Sequence, residues 1–310
     1  MTRHLLEITD LTPDELARIL VLARATPTPV LAGRGVALVF EKPSARTRHS
    51  SEMAVVALGG HPAVVGAGEV GIDTRESAED VARTLASFHD VVCARVFDHS
   101  VLNRMAAALD VAGFKVPVVN LLSDQGHPCQ AVADLLTLED VLGPDLSGKV
   151  ITYVGDANNV TRSLALAATA RGMVVRIAAP ERYSFGADEV EALDAWAAGA
   201  GASGAVEVHH DPVAAVTGAD AIYTDVWVSM GQEAEAAERR EHLARYSVTE
   251  TLVGHAPDAA VLHCLPAHRG EEITDGVLEG PTSAIWRQVR HRYHAMVGIF
   301  SWLDEQGALR

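Results

Sequence analysis

The stretch "VALVFEKPSARTRHSSEMAVVALGG", residues 36–60, changes structural habit twice. Val36 to Phe40 is an unbroken apolar run of strand length, as expected of a strand buried on both faces. Ser51-Glu-Met-Ala-Val-Val-Ala-Leu58 has the composition of a helix and stops at Gly59-Gly60, where a helix C-terminus is expected. The spacing predicts a strand, a tight loop, and a helix with Ser44 as N-cap and residues 45–47 in its first turn. A buried strand running directly into a helix is the βα unit of parallel-sheet proteins.

The loop inside that unit is basic, although the chain is acidic, with 25 Lys and Arg against 41 Asp and Glu and a net charge of −16. Free N–H groups and the positive dipole end of a helix start attract an anion. Arg46 adds a planar fork suited to phosphate, and Ser44 and Thr47 add hydroxyls. Two readings fit: an anion site, or a solvated basic helix start.

The βα habit repeats on either side. Strands are expected at 36–40, 62–65, 91–97 and 116–121, then at 149–154, 173–178, 205–208, 220–224 and 260–263, with helices between them. Thr12-Pro-Asp-Glu15 carries a capping box and opens the first helix. A long helix begins near Gln130 and ends at Gly143-Pro144, and Gly143-Pro-Asp-Leu-Ser-Gly148 marks the clearest boundary. The expected architecture is α/β: two βα domains, 1–143 and 144–282, each with a central parallel sheet flanked by helices. Interdomain helices join them, and a C-terminal helix within 283–310 packs back on the first domain. At 310 residues, two domains are the natural division.

Composition excludes several classes. Hydrophobic residues make up 48%, enough for packed layers. The acidic balance argues against a nucleic-acid or anionic-membrane partner. Leu164-Ala-Leu-Ala-Ala-Thr-Ala170 ends at Arg171, too short to cross a bilayer. Met1-Thr-Arg-His-Leu-Leu-Glu7 turns polar at once, so no secretory signal is expected and the cytoplasm is the expected compartment. Three cysteines, Cys93, Cys129 and Cys264, do not suggest a disulfide framework.

Ligands of parallel sheets bind beyond the carboxyl ends of the strands, in loops that lead into helices. Five such loops are unusual, after Phe40, Leu122, Val154, Thr224 and Leu262. His127-Pro-Cys-Gln130 places a histidine at a helix cap, able to polarise a carbonyl or move a proton, or simply to cap. Val154-Gly-Asp-Ala-Asn-Asn-Val160 lacks the G-x-G-x-x-G spacing of dinucleotide sites; its asparagines suit a polar substrate or the helix cap itself. Asp225, in Asp225-Val-Trp-Val-Ser-Met-Gly-Gln-Glu233, can hold an ammonium group, while Glu233 belongs to the acidic helix start that follows. Zinc enters consideration through His127, Cys129, His263, Cys264 and His268, but no C-x-x-C or H-E-x-x-H spacing is present, and no metal or other cofactor is expected. Cys264 as a covalent nucleophile has no readable triad beside it.

Together these stretches resemble the ornithine carbamoyltransferases of the aspartate/ornithine carbamoyltransferase family, over nearly the whole chain and in order. Phe40-Glu-Lys-Pro-Ser-Ala-Arg-Thr-Arg48 is similar to the family's S-T-R-T-R loop, and His127-Pro-Cys-Gln130 to its H-P-x-Q. Asp225 to Glu233 is similar to D-x-W-x-S-M-G-x-E, and His263-Cys-Leu-Pro-Ala267 to H-C-L-P. The resemblance implies one domain for carbamoyl phosphate, one for L-ornithine, a site between them, and homotrimers whose neighbours complete each site. It implies that Ser44, Ala45, Arg46, Thr47, Arg95, His127, Gln130, Cys264, Leu265 and Arg292 bind carbamoyl phosphate. Arg46, Arg95, His127 and Cys264 are the implied catalytic residues, and Asn159, Asp225, Ser229 and Met230 the implied ornithine ligands. The implied reaction is attack of ornithine's δ-amine on the carbonyl carbon, giving L-citrulline and phosphate. The Ser-Met-Gly turn is the implied lid.

The chain departs from the family pattern in places. Ala45 stands where threonine is usual, and His49-Ser-Ser-Glu52 alters the usual phenylalanine pattern. In Gly66-Ala-Gly-Glu-Val-Gly-Ile-Asp-Thr-Arg-Glu-Ser77 the family's glutamine position falls on Gly71, with Glu69 and Arg75 as candidate replacements. The alternatives are transfer to another amine (putrescine or an N-acylated ornithine), a catalytically silent relative that binds carbamoyl phosphate, or a nicotinamide enzyme using the Gly155 turn.

Overall fold

The computed structural model describes residues 2–201, 203–228 and 232–309. The chain forms two compact units, residues 1–133 with 290–310, and residues 134–289. The 143–148 loop lies inside the second unit.

In unit 1, β1 (Gly35–Phe40), β2 (His61–Gly66), β3 (Val91–Arg95) and β4 (Val118–Leu122) form a parallel sheet in the order β2-β1-β3-β4. In unit 2, β5 (Val150–Val154), β6 (Val174–Ala178), β7 (Ala205–His209), β8 (Ala221–Thr224) and β9 (Ala260–His263) are also parallel, in the order β7-β6-β5-β8-β9. Every strand expected from the sequence is present with slightly shifted ends. Pro117 has no N–H to give to a ladder, and β4 starts after it. At the end of β3 the register with β4 shifts between Ala94 and Arg95, and the strand ends at Arg95.

Burial follows from the apolar runs. Val36, Ala37 and Leu38 of β1, and Val91 to Ala94 of β3, are fully buried, as are Ile151, Tyr153 and Val154 of β5. Helices cover such strands on both faces, which is why the runs do not alternate. In each sheet the strand order reverses, between β1 and β3 and again between β5 and β8. A crevice opens at the carboxyl ends of such a pair.

The helix Ala45–Ala57 begins as expected: Ser44 is its N-cap, and its Oγ accepts the Thr47 N–H at 3.4 Å. Gly59, at φ +81°, turns the chain out of it. Thr12 and Glu15 form the expected reciprocal cap on the helix Pro13–Arg24. The helix Ile285–Glu305 carries Gly298, where an added Cβ would lie 2.5 Å from the Ile19 carbonyl oxygen. Glycine therefore lets this helix seat against the Pro13–Arg24 helix within unit 1. Among the described residues no helix is long and apolar enough to cross a membrane.

Candidate active site

Unit 1 brings its expected residues to the β1/β3 reversal. Ser44, Ala45, Arg46 and Thr47 occupy the cap and first turn of the helix after β1, and Arg95 ends β3. Arg95 is 7% exposed and Thr47 2%, so donors of both kinds sit out of bulk water, where they act more strongly than in solvent. Arg46 is half-buried and Ala45 exposed, leaving the Ala45 position to its backbone.

His127 lies directly before Pro128, the first residue of the helix Pro128–Leu142, as the sequence predicts. Arg292 reaches it from the helix Ile285–Glu305. One guanidinium nitrogen, Nη1, donates to His127 Nε2 at 3.2 Å and also to Gln130 Oε1; Nη2 donates to Thr47 Oγ1 at 3.1 Å. One arginine thus joins three motifs that are far apart in the chain. Because guanidinium only donates, His127 Nε2 is an acceptor, and the neutral ring carries its proton on Nδ1. Burial pushes the His127 pKa well below its ordinary value, and the positive charges of Arg292, Arg95 and Arg46 push it the same way. The imidazole is neutral at physiological pH.

The segment after β2 holds Gly71, where the sequence departs from the expected pattern. Gly71 sits at φ +56°, and a Cβ there would come within 3.0 Å of Arg75 Cδ. Arg75 folds back, its Nη1 donating to the Glu69 carbonyl at 3.2 Å, and both residues are exposed. Arg104 holds the segment from below, with paired bonds to Asp73 at 2.7 and 2.8 Å and to Glu79 at 2.6 and 2.8 Å. These bonds to Arg104 hold the Glu79 carboxyl at about 2.

Unit 2 places its own residues at the β5/β8 reversal. Asp225 follows β8, is 6% exposed, and has its carboxyl raised to about 6, chiefly by burial. The nearby His263, the Val226 N–H and Asn158 pull the other way. Asn158, a neighbour of the expected Asn159, touches Asp225: its Nδ2 donates to Asp225 Oδ2 at 3.5 Å. Its Oδ1 caps the helix Asn159–Thr169 through the N–H groups of Val160 and Thr161 at 2.9 and 3.2 Å. The sequence signal was the Asn-Asn pair, which did not mark Asn158 as both cap and Asp225 partner. Asn159 is the first helical residue and half-buried. Ser229 and Met230 lie outside the described residues.

Behind this crevice Arg239, 8% exposed, donates through Nη1 to Asp156 Oδ2 at 2.9 Å and to the Trp227 carbonyl at 3.2 Å. Its Nε donates to Glu235 Oε2 at 3.2 Å, and its face lies over the Tyr183 ring, 5.0 Å from the centroid. A Cβ on Gly155 would come 3.5 Å from Trp227 Nε1, so the indole stands over the turn where a dinucleotide pyrophosphate would need to approach.

The turn after β9 is clamped through His263. Its Nδ1 accepts the Leu265 N–H at 2.8 Å, and its Nε2 donates to Glu272 Oε1 at 3.0 Å, with both His263 and Glu272 essentially unexposed. Sequence reading missed Glu272, since nothing local marks one member of Glu271-Glu272 as buried. Leu265 stands at φ +61°, and Cys264 is half-buried. Cys129, by contrast, is fully enclosed, donates to the Asn120 carbonyl at 3.3 Å, and has its thiol pushed up to about 12 by burial. Both His263 nitrogens and the Cys129 thiol are thus engaged in hydrogen bonds within the protein. Among the described residues, His268, Glu271 and Glu272 could approach a cation together, within 4.8 Å of one another. Arg240, 3.0 Å from Glu271, already answers part of that charge.

Known proteins resemble the chain over nearly its whole length. Residues 3–140 match the carbamoyl-P binding domain of aspartate/ornithine carbamoyltransferases, and residues 147–303 match the Asp/Orn binding domain. An ornithine carbamoyltransferase of Acidothermus cellulolyticus is 46% identical, covering 98% of this chain and 97% of its own. That of Pyrococcus abyssi is 43% identical, covering 97% and 95%. The solved structure of the Pyrococcus furiosus ornithine carbamoyltransferase superposes with a TM-score of 0.89 at 42% identity, covering 96% of both chains. The chain belongs to the aspartate/ornithine carbamoyltransferase family.

Proposed function

We propose that the chain transfers the carbamoyl group of carbamoyl phosphate to the δ-amine of L-ornithine, releasing L-citrulline and phosphate. The observation that supports this most is the convergence of Thr47, His127 and Gln130 on the Arg292 guanidinium. In this reading unit 1 holds carbamoyl phosphate and unit 2 holds ornithine.

Ser44, the Ala45 backbone, Arg46 and Thr47 cradle the phosphate at the helix start, and Arg95 reaches both phosphate and carbonyl oxygen. Neutral His127 donates its N–H to the carbonyl, Arg292 joins it, and Gln130 binds the carbamoyl amine. The neutral δ-amine attacks the carbonyl carbon. The carbonyl π-electrons move to oxygen, and the fixed donors stabilise that oxyanion. Collapse re-forms the carbonyl and breaks the C–O bond; phosphate leaves with that electron pair and takes the proton that nitrogen loses, giving the urea group of citrulline. Cys264 and Leu265 line the reacting end, with no covalent intermediate.

Asp225 binds ornithine's α-ammonium, and Asn159, Ser229 and Met230 its other polar ends. A carboxylate that burial raises to about 6 lacks countercharge, and an α-ammonium supplies it. This favours free ornithine over an N-acylated one, which has no such charge. The working particle is a homotrimer in the cytoplasm. Exposed Met53 and Val56 on the Ala45–Ala57 helix, with Phe88 at 77% and Phe97 at 52%, support subunit contacts.

Steady-state kinetics with L-ornithine, putrescine and N-acetylornithine test the reaction. Expected is a kcat/KM for ornithine at least ~100-fold above the others, the scale on which a site built for a buried polar partner rejects an analogue. Preference for putrescine would overturn the ornithine assignment, and no product with any amine would make the chain a silent relative. Sedimentation at the monomer mass would overturn the trimer.

A further inference from the structure

Three side chains without a substrate role form a closed hydrogen-bond circuit behind the turn that carries Cys264. Gln288, on the helix Ile285–Glu305, is 1% exposed; Asp134, on the helix Pro128–Leu142, and Tyr223, on β8, are 0% exposed. Gln288 Nε2 donates to Asp134 Oδ1 at 2.7 Å and to the Tyr223 hydroxyl at 3.1 Å. That hydroxyl donates to Asp134 Oδ2 at 3.2 Å. Tyr223 is held in place by stacking on Tyr153, its register partner across β5 and β8, with centroids 5.7 Å apart.

The circuit fixes both ends of the amide. With Nε2 committed to two partners, Gln288 Oε1 points one way, and it accepts the His263 backbone N–H at 2.9 Å. Beyond His263 the chain enters Cys264 and then Leu265, whose left-handed backbone is one a non-glycine residue keeps only where its surroundings impose it. The His263 ring supplies one constraint, through the Leu265 N–H. Gln288 supplies another, at the residue where strand gives way to turn. Apolar side chains would fill the same interior without the desolvation cost that Asp134, Gln288 and Tyr223 carry. Hydrogen bonds add direction, which packing alone does not.

We infer that Gln288, held by Asp134 and Tyr223, is a positioning residue that sets the Cys264–Leu265 turn through the backbone of His263. This rests on the reading that Cys264 and Leu265 line the reacting end.

The test compares two purified full-length variants, Gln288→Met and Gln288→Glu. Methionine keeps the length but removes the acceptor of the His263 N–H and the amide that donates to Asp134 Oδ1. Glutamate keeps an acceptor for that N–H and can share one proton with Asp134. Gln288→Met should lower kcat by about 10–100-fold, as for a reacting group displaced by ~1 Å, with KM for carbamoyl phosphate within about twofold. Gln288→Glu should recover most of the loss. A second readout needs no turnover: Cys264 is half-buried while Cys93 and Cys129 are buried, so alkylation by iodoacetamide, located by peptide mass, reports the turn. Its rate should change at least about fivefold in Gln288→Met and return in Gln288→Glu. An unchanged kcat and alkylation rate in Gln288→Met would overturn the inference. So would a loss of kcat that glutamate does not repair and that a lowered folded fraction, measured by urea unfolding, accounts for in full, since a folding defect lowers apparent kcat at unchanged KM. If the wild-type protein makes no citrulline, the functional reading fails while the alkylation rates still decide the positioning role.

Discussion

Asp225→Asn should stabilise the protein while abolishing its use of ornithine. In the folded chain burial lifts the Asp225 carboxyl from 3.8 to about 6. The folded state therefore binds this proton more tightly than the unfolded state does, and stability falls as pH rises through that interval. The difference, at 1.36 kcal/mol per pH unit, is roughly 3 kcal/mol of destabilisation once Asp225 is ionised above pH ~6. Asparagine is isosteric, carries no charge, and keeps an oxygen for the Asn158 amide. The variant should gain up to about 3 kcal/mol at pH 7.5 and almost nothing at pH 4, where the native carboxyl is already protonated. Urea unfolding followed by tryptophan fluorescence suits the measurement, because Trp196, Trp227 and Trp286, three of the chain's 4 tryptophans, lie in unit 2. The same variant should lose at least ~100-fold in kcat/KM for ornithine, since the α-ammonium loses a buried counter-ion. A variant less stable than wild type at pH 7.5, or an equal gain at both pH values, would refute the argument. Retained ornithine kinetics would refute the binding role separately.

Arg46→Ala should reduce citrulline formation by at least ~100-fold with an unchanged circular dichroism spectrum; near-wild-type turnover would break the phosphate-loop assignment. Because burial and three arginines keep His127 neutral, its titration should not shape the pH–rate profile between pH 6 and 8. His127→Gln should show the wild-type profile at a lower plateau, and disappearance of an acid limb in the variant would contradict the neutral ring. Arg239→Met leaves Asp156 buried without its cation and should cost about 3–5 kcal/mol in unit 2, measured by urea unfolding. Adding Asp156→Asn should restore most of that loss, and failure to do so would place the cost elsewhere.

Local pattern made much of this legible. Ser44 before a basic turn, Pro128 after His127, and apolar runs without alternation each follow from a few neighbouring residues, and the structure has the cap, the helix start and the buried parallel strands. What could not be read depends on distance in the chain. Arg292 meets His127 across 165 residues, and no local feature of His291-Arg-Tyr293 announces it; only the family resemblance did. Asn158 and Asn159 are chemically identical, and only the folded cap shows Asn158 both capping its helix and donating to Asp225. The burial of Glu272 and Gln288 depends on which strand and helix close over them, which composition does not encode.

The Gly298 contact has a consequence for biosynthesis. Unit 2 is a single continuous segment, whereas unit 1 combines residues 1–133 with residues 290–310. A ribosome releases the chain in order, so unit 2 can close while unit 1 still lacks the helix that seats on Ile19. Unit 1 then waits, its first helix uncovered, for residues 290–310 to emerge. Nascent chains stalled after residue 289 should resist protease over 134–289 yet be cut near the Pro13–Arg24 helix, and equal protection of both would contradict this order. A bulkier residue at 298 would thus act late in synthesis, on a molecule whose other half is already built.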